Sequence, residues 1–334
     1  MKNKKTLPLK LALLSLGIAA TSNAQPCGQS WQMLQPWASY VSTSQPAAEP
    51  ILWPTVNTPR DDWRSVASSA TGQHLAAAAQ YKPLLLSHDF GQTWQSSPDA
   101  PSNVWAVAIN EDGQRLATVA RGGNLHISHN GGQTWQATEA PRQWYNVTMD
   151  AKGQNMLAAV EGGQLYRSTN AGKSWAPQHI SATWFGLASS ANGQVLMATE
   201  RRGAIHRSED GGKTWKIVAP QNPWRTIAGD ATLQTLIAGT NPGYLYLSQN
   251  GGQTWSTALH QGAWRAVTSS ADGQRLTAAQ ENGHIYTSQN GGKTWAKQEV
   301  ARPWLRLASN ASGLQIAAVT LGPSGTLHVA RCLK

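Results

Sequence analysis

The chain is a succession of short apolar, β-rich runs separated by turns that contain glycine. One stretch shows this well, with runs at Trp264–Ser269, Arg275–Gln280, His284–Ser288 and Thr294–Lys297. Runs of this length are typical of strands, and no window has room for a long amphipathic helix. The pattern predicts four short strands in each stretch of about 40 residues.

The four-strand unit repeats along most of the chain. A signature Ser-x-(Asp/Asn)-x-Gly-(Gln/Lys)-(Thr/Ser)-Trp starts at Ser87, Ser128, Ser168, Ser208, Ser248 and Ser288. These starts are 41 residues apart once and 40 apart thereafter. Turn glycines at 72, 113, 153, 193, 273 and 313, with Leu233 in the remaining slot, mark seven units. The sequence therefore predicts an all-β, seven-bladed β-propeller with four antiparallel strands per blade.

The two ends of the chain are expected to complete one blade together. The seventh unit begins at Trp304 and reaches only its third strand, whereas Cys27–Trp31 matches the end of the signature. We predict a ring closed by N- and C-terminal strands, with residues 32–61 as an irregular connecting segment. Cys27 and Cys332 would then lie in one split turn, where a disulfide is expected in an oxidising compartment. Two unrelated thiols are the alternative.

Residues 1–24 have the pattern of a secretory signal. Lys2, Lys4 and Lys5 precede an apolar run from Leu11 to Ala20 and a short stretch of small residues. Cleavage after Ala24 would leave residues 25–334 as a single propeller domain, exported to the periplasm or secreted. An uncleaved membrane anchor formed by this segment is the alternative. In the rest of the chain, no window approaches the roughly 20 consecutive apolar residues that a membrane span needs. Stable membrane insertion is therefore not expected.

Charge and metal-ligand spacing exclude two classes of function. The formal net charge is +10, and loss of the four lysines in residues 1–24 would reduce it to +6. The basic residues are scattered, so no nucleic-acid partner is expected. His126, His206 and His328 occupy the slot that holds tyrosine in other units, and no HExxH or CxxC motif is present. We therefore expect no metal and no other cofactor. A monomer is also expected.

The signature resembles the Asp-box, or BNR repeat, of sialidases, sortilin-type receptors and photosystem II assembly factors. In those families the box is a structural hairpin between the third and fourth strands, so the resemblance implies a fold rather than an activity. The residues agree, because Asp or Asn can bond its own turn backbone and Gly can adopt positive φ. Four of the six boxes carry Asn, which cannot act as a general acid.

Candidate binding residues are those that differ between units. The start of the inner strand is Trp in six units and Val104 in the other, which favours a packing role, with a ring of sugar-stacking platforms as the alternative. The next position varies, as does the end of the second strand, and both are expected near the channel mouth on the face opposite the boxes. The predicted binding face comprises Arg64, Trp105, Tyr145, Phe185, Arg225, Arg265, Arg121, Glu161, Arg201, Arg202 and Glu281.

Two classes of function fit this face. Resemblance to the photosystem II assembly factors implies an exported, non-catalytic scaffold that docks on an envelope or membrane protein as an assembly or stability factor. A lectin-like, carbohydrate-binding propeller is the alternative, because tryptophan-rich faces also suit sugars. A sialidase-like glycoside hydrolase is a further alternative, with Glu161 and Glu200 as the carboxylate pair. The Phe/Tyr-Arg-Ile-Pro segment of sialidases is absent, which argues against a sialidase and favours a non-catalytic role.

Overall fold

The described chain consists of strands joined by turns and short irregular segments. The computed structural model describes residue 58, residues 60–298 and residues 301–331, and no helix occurs among them. The predicted signal segment, both cysteines and nearly all of the connecting segment 32–61 lie outside the described residues. The predicted N-terminal closing strand and the Cys27–Cys332 disulfide therefore stay predictions.

Within these ranges the strands pair into six antiparallel sheets. The first contains β1 (Trp63–Ser68), β2 (Leu75–Ala79), β3 (Leu85–Ser87) and β4 (Gln95–Ser96). The second contains β5 (Val104–Ile109), β6 (Leu116–Ser128), β7 (Gln136–Met149), β8 (Met156–Val160), β9 (Gly163–Ser168) and β10 (Ala176–Ala182). The third contains β11 (Trp184–Ser189), β12 (Leu196–Glu200), β13 (Ile205–Ser208) and β14 (Lys216–Ala219).

The remaining sheets continue the same up-and-down order. The fourth contains β15 (Trp224–Gly229), β16 (Leu236–Thr240), β17 (Gly243–Ser248) and β18 (Ser256–Gly262). The fifth contains β19 (Trp264–Ser269), β20 (Leu276–Gln280), β21 (Ile285–Ser288) and β22 (Ala296–Lys297). The sixth has β23 (Trp304–Ser309), β24 (Gln315–Thr320) and β25 (Leu327–Arg331) within the described residues.

The predicted all-β propeller is confirmed, but the predicted count of seven four-stranded blades is not. The second sheet has six strands because β7 runs without a break from an outer strand, paired with β6, into an inner strand, paired with β8. β6 is long for the same reason, since it pairs first with β5 and then with β7. The sheet boundaries therefore do not follow the sequence repeats at this place.

The innermost strands form a closed ring. They contact one another in chain order, β1, β5, β7, β11, β15, β19 and β23, and β23 contacts β1. The turns that follow these strands are joined by backbone hydrogen bonds of 2.7–3.0 Å, each N–H donating to the next turn's carbonyl. Among the described residues this circle runs through Ala70, Glu111, Ala151, Ala191, Ala231, Ala271 and Ala311, and returns to Ala70.

The seam between the first and last sheets is packed like a core. Trp63 and Val66 share one buried cluster with Val319, Leu327 and Val329. Apolar burial on this scale is the main stabilising contribution to folding. The described residues therefore close the ring by their own contacts, whatever the chain ends contribute.

Small residues and aromatic residues both contribute to the packing between neighbouring units. The second strands are rich in alanine, and β2 is buried along its whole length, which lets neighbouring sheets approach closely on both faces. The tryptophans that begin the inner strands are only 0–3 % exposed. Trp144 meets Tyr166 edge-on at 5.1 Å, and Trp184 meets His206 in the same way at 5.2 Å. These indoles are framework residues and leave no open face for a sugar.

Each described box is held by its own side chains. In the second box, Ser128 Oγ donates to Asn130 Oδ1 at 3.0 Å and accepts from the Gly132 N–H at 2.8 Å. Asn130 Oδ1 also accepts from the Thr134 N–H at 3.0 Å. The same serine-to-glycine bond recurs in the other five boxes. The serine hydroxyl and the Asp or Asn side chain of the signature are thus occupied within the hairpin.

The box glycine Gly172 should be more sensitive to substitution by alanine than Gly162, which also has a positive φ but has open surroundings. Gly172 has a φ of +82°, and an added Cβ would lie 2.5 Å from Ile127 Cγ1. Gly162 has a φ of +64° with nothing within 4 Å. We expect Gly162→Ala to lower the free energy of unfolding by about 1–2 kcal/mol, and Gly172→Ala by about 1–3 kcal/mol more. Urea unfolding followed by tryptophan fluorescence measures both, and equal losses would contradict the packing role.

Acid should weaken the two boxes that carry aspartate. Hydrogen bonds from Thr93 lower the pKa of Asp89 to about 2, and hydrogen bonds from Thr214 lower that of Asp210 further. A depressed carboxyl pKa stabilises the fold above the unfolded pKa of about 4, and this contribution is lost as pH falls towards 2. We therefore expect Asp89→Asn with Asp210→Asn to show a smaller fall in urea midpoint between pH 5 and pH 2 than the parent.

The converse substitution is the control for this effect. Asn130→Asp places a carboxylate in a box with the same hydrogen-bond donors, and it should steepen the loss of stability over that pH range. Identical pH dependence in all three proteins would show that the boxes do not contribute to acid sensitivity.

Candidate functional site

A β-bulge marks the variable position of every described inner strand. Each inner strand changes register against its neighbour just after its tryptophan, or after Val104 in β5. A bulge leaves the extra residue out of the ladder and redirects its side chain. The residues that follow the first position are Arg64, Trp105, Tyr145, Phe185, Arg225, Arg265 and Leu305. In an antiparallel sheet these strand starts lie at the end opposite the boxes.

Three consecutive bulge residues form an aromatic wall, which comprises Trp105, Tyr145 and Phe185. The Trp105 and Tyr145 rings are 6.0 Å apart and tilted by 47°, and those of Tyr145 and Phe185 are 5.3 Å apart and tilted by 33°. Tyr145 and Phe185 are buried, whereas Trp105 is half-buried. The separations suit favourable aromatic contacts, so the wall is a rigid lining for one side of the mouth.

The other side is lined by an arginine arc, which comprises Arg64, Arg225, Arg265 and Arg306. Burial, together with the charges of Arg265 and Arg306, lowers the pKa of Arg225 to about 10. Burial also lowers the pKa of Arg265, with Arg306 and Arg64 as additional cationic neighbours. Arginine side chains in proteins carry a positive charge at neutral pH. The arc is a concentration of half-buried positive charge.

The arginines of the mouth differ in whether they have a carboxylate partner. Arg64 pairs with Asp62 at 2.6 Å and bonds Gln80, and its guanidinium lies 4.9 Å from the Trp105 ring centroid. Arg265 lies 3.5 Å from Glu281 Oε2. The Arg225 guanidinium carbon lies 4.0 Å from the centroid of the Phe185 ring. No carboxylate in the described ranges is within ion-pair distance of Arg225. Arg225 is therefore a half-buried cation against an aromatic face, and Glu281 favours its charge only from beyond ion-pair distance.

The ends of the second strands complete the site. Arg121 forms an ion pair with Glu161 and lies 5.3 Å from the Trp105 ring. Arg201 lies 5.6 Å from the Phe185 ring and, like Arg202, is exposed. These cations extend the basic surface outward from the arc.

A cavity of about 200 Å³ lies where the aromatic wall meets the arginine arc. Its lining includes Phe185, Arg201, Arg202, Arg225, Asn241 and Arg265. Its arginines offer several guanidinium donors, while Asn241 Nδ2 donates to Glu281 Oε2 at 2.9 Å. This arrangement suits an anionic or carboxylate-bearing ligand.

The predicted binding residues therefore gather at one face, and two residues of the site were missed. Arg306 occupies a slot that holds small or uncharged polar residues in the other units, for example Ser65 and Gly186, and that contrast was a usable signal. Asp62 precedes the first inner strand and has no repeat equivalent that would single it out. Its pairing with Arg64 required the structure.

The possible catalytic carboxylates have other partners. Glu161 is paired with Arg121, and Glu200 Oε1 lies 2.6 Å from His206 Nε2. No group of three His, Cys, Asp or Glu residues in the described part of the chain is arranged to hold a metal ion. No helix long and apolar enough to cross a membrane is found among the residues searched.

Comparisons with known proteins give the family of the repeat and the fold. The BNR/Asp-box repeat model matches residues 126–137, which confirms the predicted resemblance. A search of curated protein sequences finds no match.

Three solved structures show the likeness in fold. YCF48 bound to D1 peptide has a TM-score of 0.66 and 18% identity, over 86% of this chain and 98% of that one. YCF48 from Cyanidioschyzon merolae has a TM-score of 0.65 and 16% identity, over 84% and 98%. The GH74 xyloglucanase from Xanthomonas campestris has a TM-score of 0.68 and 18% identity, over 85% of this chain and 54% of the enzyme.

At such identities the likeness concerns the fold alone. The repeat match, the six sheets and these neighbours agree with one another. The protein is a β-propeller with Asp-box (BNR) repeats, similar in fold to YCF48 and to the GH74 xyloglucanase.

Proposed function

We propose that this chain is an exported, non-catalytic propeller that docks on an envelope or membrane protein and assists its assembly or stability. The observation that carries the proposal is Arg225, a half-buried cation over Phe185 with no carboxylate partner in the described chain. It borders a cavity shared with Arg201 and Arg202. A partner that brings an acidic group into this cavity would neutralise charge for which the described residues provide no ion pair.

The chemistry of the mouth favours a protein partner. Arginine and aromatic side chains are enriched at the centres of protein interfaces, where they lose water on binding. Burying a cation without a partner costs free energy, so an acidic partner gains by supplying the missing charge. The exposed cations Arg201 and Arg202 would steer such a partner towards the cavity.

The aromatic wall is less suited to sugar. Tyr145 and Phe185 are buried, and two guanidiniums lie at 4.0 and 5.6 Å from the Phe185 ring. Trp105 likewise has Arg64 and Arg121 within 5.3 Å. Stacking on a pyranose needs an open ring face, and these rings are already covered. The carbohydrate-binding alternative therefore stays second, supported by the fold likeness to a xyloglucanase.

The structural neighbours support the same choice. One of them is YCF48 bound to D1 peptide, which is a propeller of similar fold with a peptide as its partner. The resemblance to assembly factors also implies docking on membrane-protein intermediates. We extend this kind of role, without a particular partner, to the present chain.

We also infer that the ring consists of seven blades. Seven inner strands contact one another in order within the described chain, and the circle of turn hydrogen bonds has one member from each. In this interpretation the six-stranded sheet is two blades joined through β6 and β7. The N-terminal strand and the Cys27–Cys332 disulfide would complete the last blade, and mass spectrometry of the non-reduced mature protein tests the disulfide.

Affinity capture from a detergent-solubilised envelope extract tests the docking role. We expect the parent to retain specific envelope proteins, and the Arg202→Glu, Arg225→Gln variant to retain at least about tenfold less of them, because loss of charge-assisted contacts costs more than 1.4 kcal/mol. Quantitative mass spectrometry of the retained proteins gives the measurement.

The matched control is Lys173→Glu with Lys213→Gln, which changes the net charge equally on exposed residues of the opposite face. The control should capture the same proteins as the parent. Equal capture by both variants would place the docking surface elsewhere, and binding of glycans instead of proteins on an array would favour the carbohydrate alternative.

A further inference from the structure

We propose that His74 and His88 form a binding site for one divalent transition-metal ion, with Cu²⁺ as the ion that the geometry fits best. The two imidazoles lie at the box end of the first sheet, beside the first box, which begins at Ser87. The mouth that carries the proposed docking role is at the opposite end of the sheets. The inference is therefore independent of that role.

The pairing of β2 with β3 brings the two histidines together. Leu75 is opposite Ser87 in that ladder, so His74 and His88 are the next residues across from each other, just beyond the two strands. Directly opposed residues of antiparallel strands lie on the same face, with Cβ atoms about 4.5–5.5 Å apart. The expectation of no metal depended on short motifs and on third-strand histidines, and this cross-strand pair belongs to neither.

The separation of the ring nitrogens matches two ligands of one ion. His74 Nδ1 and His88 Nδ1 lie 2.9 Å apart, with the rings inclined at 69°. Two nitrogens about 2.0 Å from one ion are about 2.8 Å apart at a right angle and about 3.3 Å apart at the tetrahedral angle. The observed distance is close to the right-angled case, which is the tetragonal geometry of Cu²⁺.

A metal ion would replace a single shared proton. One Nδ1–H now donates to the other Nδ1, since a neutral imidazole carries a proton on only one ring nitrogen. With both protons on Nε2, the two Nδ1 lone pairs would converge on one point. This exchange of tautomer requires no change in the number of protons and little movement of the rings.

Local contacts hold the pair in place. Ser69 N–H donates to the His74 carbonyl at 2.9 Å, and His74 N–H donates to Ser69 Oγ at 3.1 Å. The His74 ring packs on Gly113, where an added Cβ would lie 2.5 Å from the ring. Ligands that are already positioned lose little freedom when an ion binds.

The repeat shows that the framework does not require this pair. No other unit has histidine in both slots, although every unit brings two residues to the same place. The corresponding pairs are Arg115 with His129, Asn155 with Thr169, Val195 with Glu209, Thr235 with Gln249, Arg275 with Gln289, and Gln315 with Arg331. Two imidazoles therefore distinguish the first unit from the other six.

The surroundings of the pair are compatible with a cation. Burial and the charge of His88 lower the pKa of His74, which favours the neutral imidazole that binds metals. The carboxylate of Asp112 acts on His74 in the opposite direction, so a negative charge lies near the pair. No group of three metal-binding side chains occurs in the described part of the chain. We therefore assign two protein ligands, with water at the other positions beside the exposed His88.

Isothermal titration of the untagged protein with Cu²⁺ tests the site, with glycine in the buffer as a weak competing ligand. We expect one ion per chain, bound more tightly than Ni²⁺ or Zn²⁺. His74→Gln and His88→Gln should each weaken binding at least about tenfold, because loss even of a group that only orients a ligand costs about 10–100-fold. Electron paramagnetic resonance of the 1:1 complex should show two imidazole nitrogens in the parent and fewer in each variant.

The matched control is His129→Gln. His129 follows the serine of the second box as His88 follows that of the first, but it is paired with Arg115. This variant should bind Cu²⁺ like the parent. Circular dichroism without metal shows whether each variant is folded.

A second measurement needs no substitution. In the parent, Cu²⁺ should protect His74 and His88, but not His129, from modification by diethyl pyrocarbonate, as read by mass spectrometry. Modification of His88 at an unchanged rate would overturn the inference. Equal Cu²⁺ affinity in the parent and in the His74→Gln, His88→Gln double variant would show an adventitious ion only. Neither histidine is changed in the envelope-capture variants, so the docking role and the metal site can fail separately.

Discussion

The circle of backbone hydrogen bonds between the inner turns is the constraint on which the rest of the structure depends. Every turn donates to the next and accepts from the one before, and the last bond runs from Ala311 back to Ala70 at 2.9 Å. A closed circle has no end at which opening can begin, and breaking one bond leaves both a donor and an acceptor unsatisfied. The circle sets the separation and direction of the inner strands. The opposite ends of those strands, where the candidate site lies, are thereby held at fixed distances around the channel.

The repeat separates framework from function within each strand. The first inner residue is a buried tryptophan in most units and packs edge-on against a tyrosine or histidine of the third strand, as Trp144 does with Tyr166. The following residue lies in a bulge, outside the ladder, and it varies from arginine to phenylalanine to leucine. Because a bulge residue contributes little to pairing, its identity can change without loss of the sheet. Such positions can diverge to fit a ligand while the scaffold stays constant.

The arginine arc shows what such a scaffold can tolerate. Four half-buried guanidiniums repel one another and are only partly balanced by Asp62 and Glu281. Charges in this arrangement cost stability, and they persist because the surrounding core over-determines the strand positions. An acidic partner would recover part of that cost.

Local sequence patterns were sufficient for much of this protein. Strand length, turn glycines and the 40-residue period predicted the all-β propeller, the box hairpins, the framework tryptophans and the face on which Arg225 and Phe185 lie, because these features depend on neighbours along the chain or recur in every unit. Tertiary structure alone decided that β7 joins two units into one sheet and that Arg306 belongs to the site. It also decided that Arg64 and Arg121 have carboxylate partners, while Arg225 has none among the described residues. Such pairings join residues of different strands and units, and charge compensation depends on distances across the channel that no periodic pattern encodes.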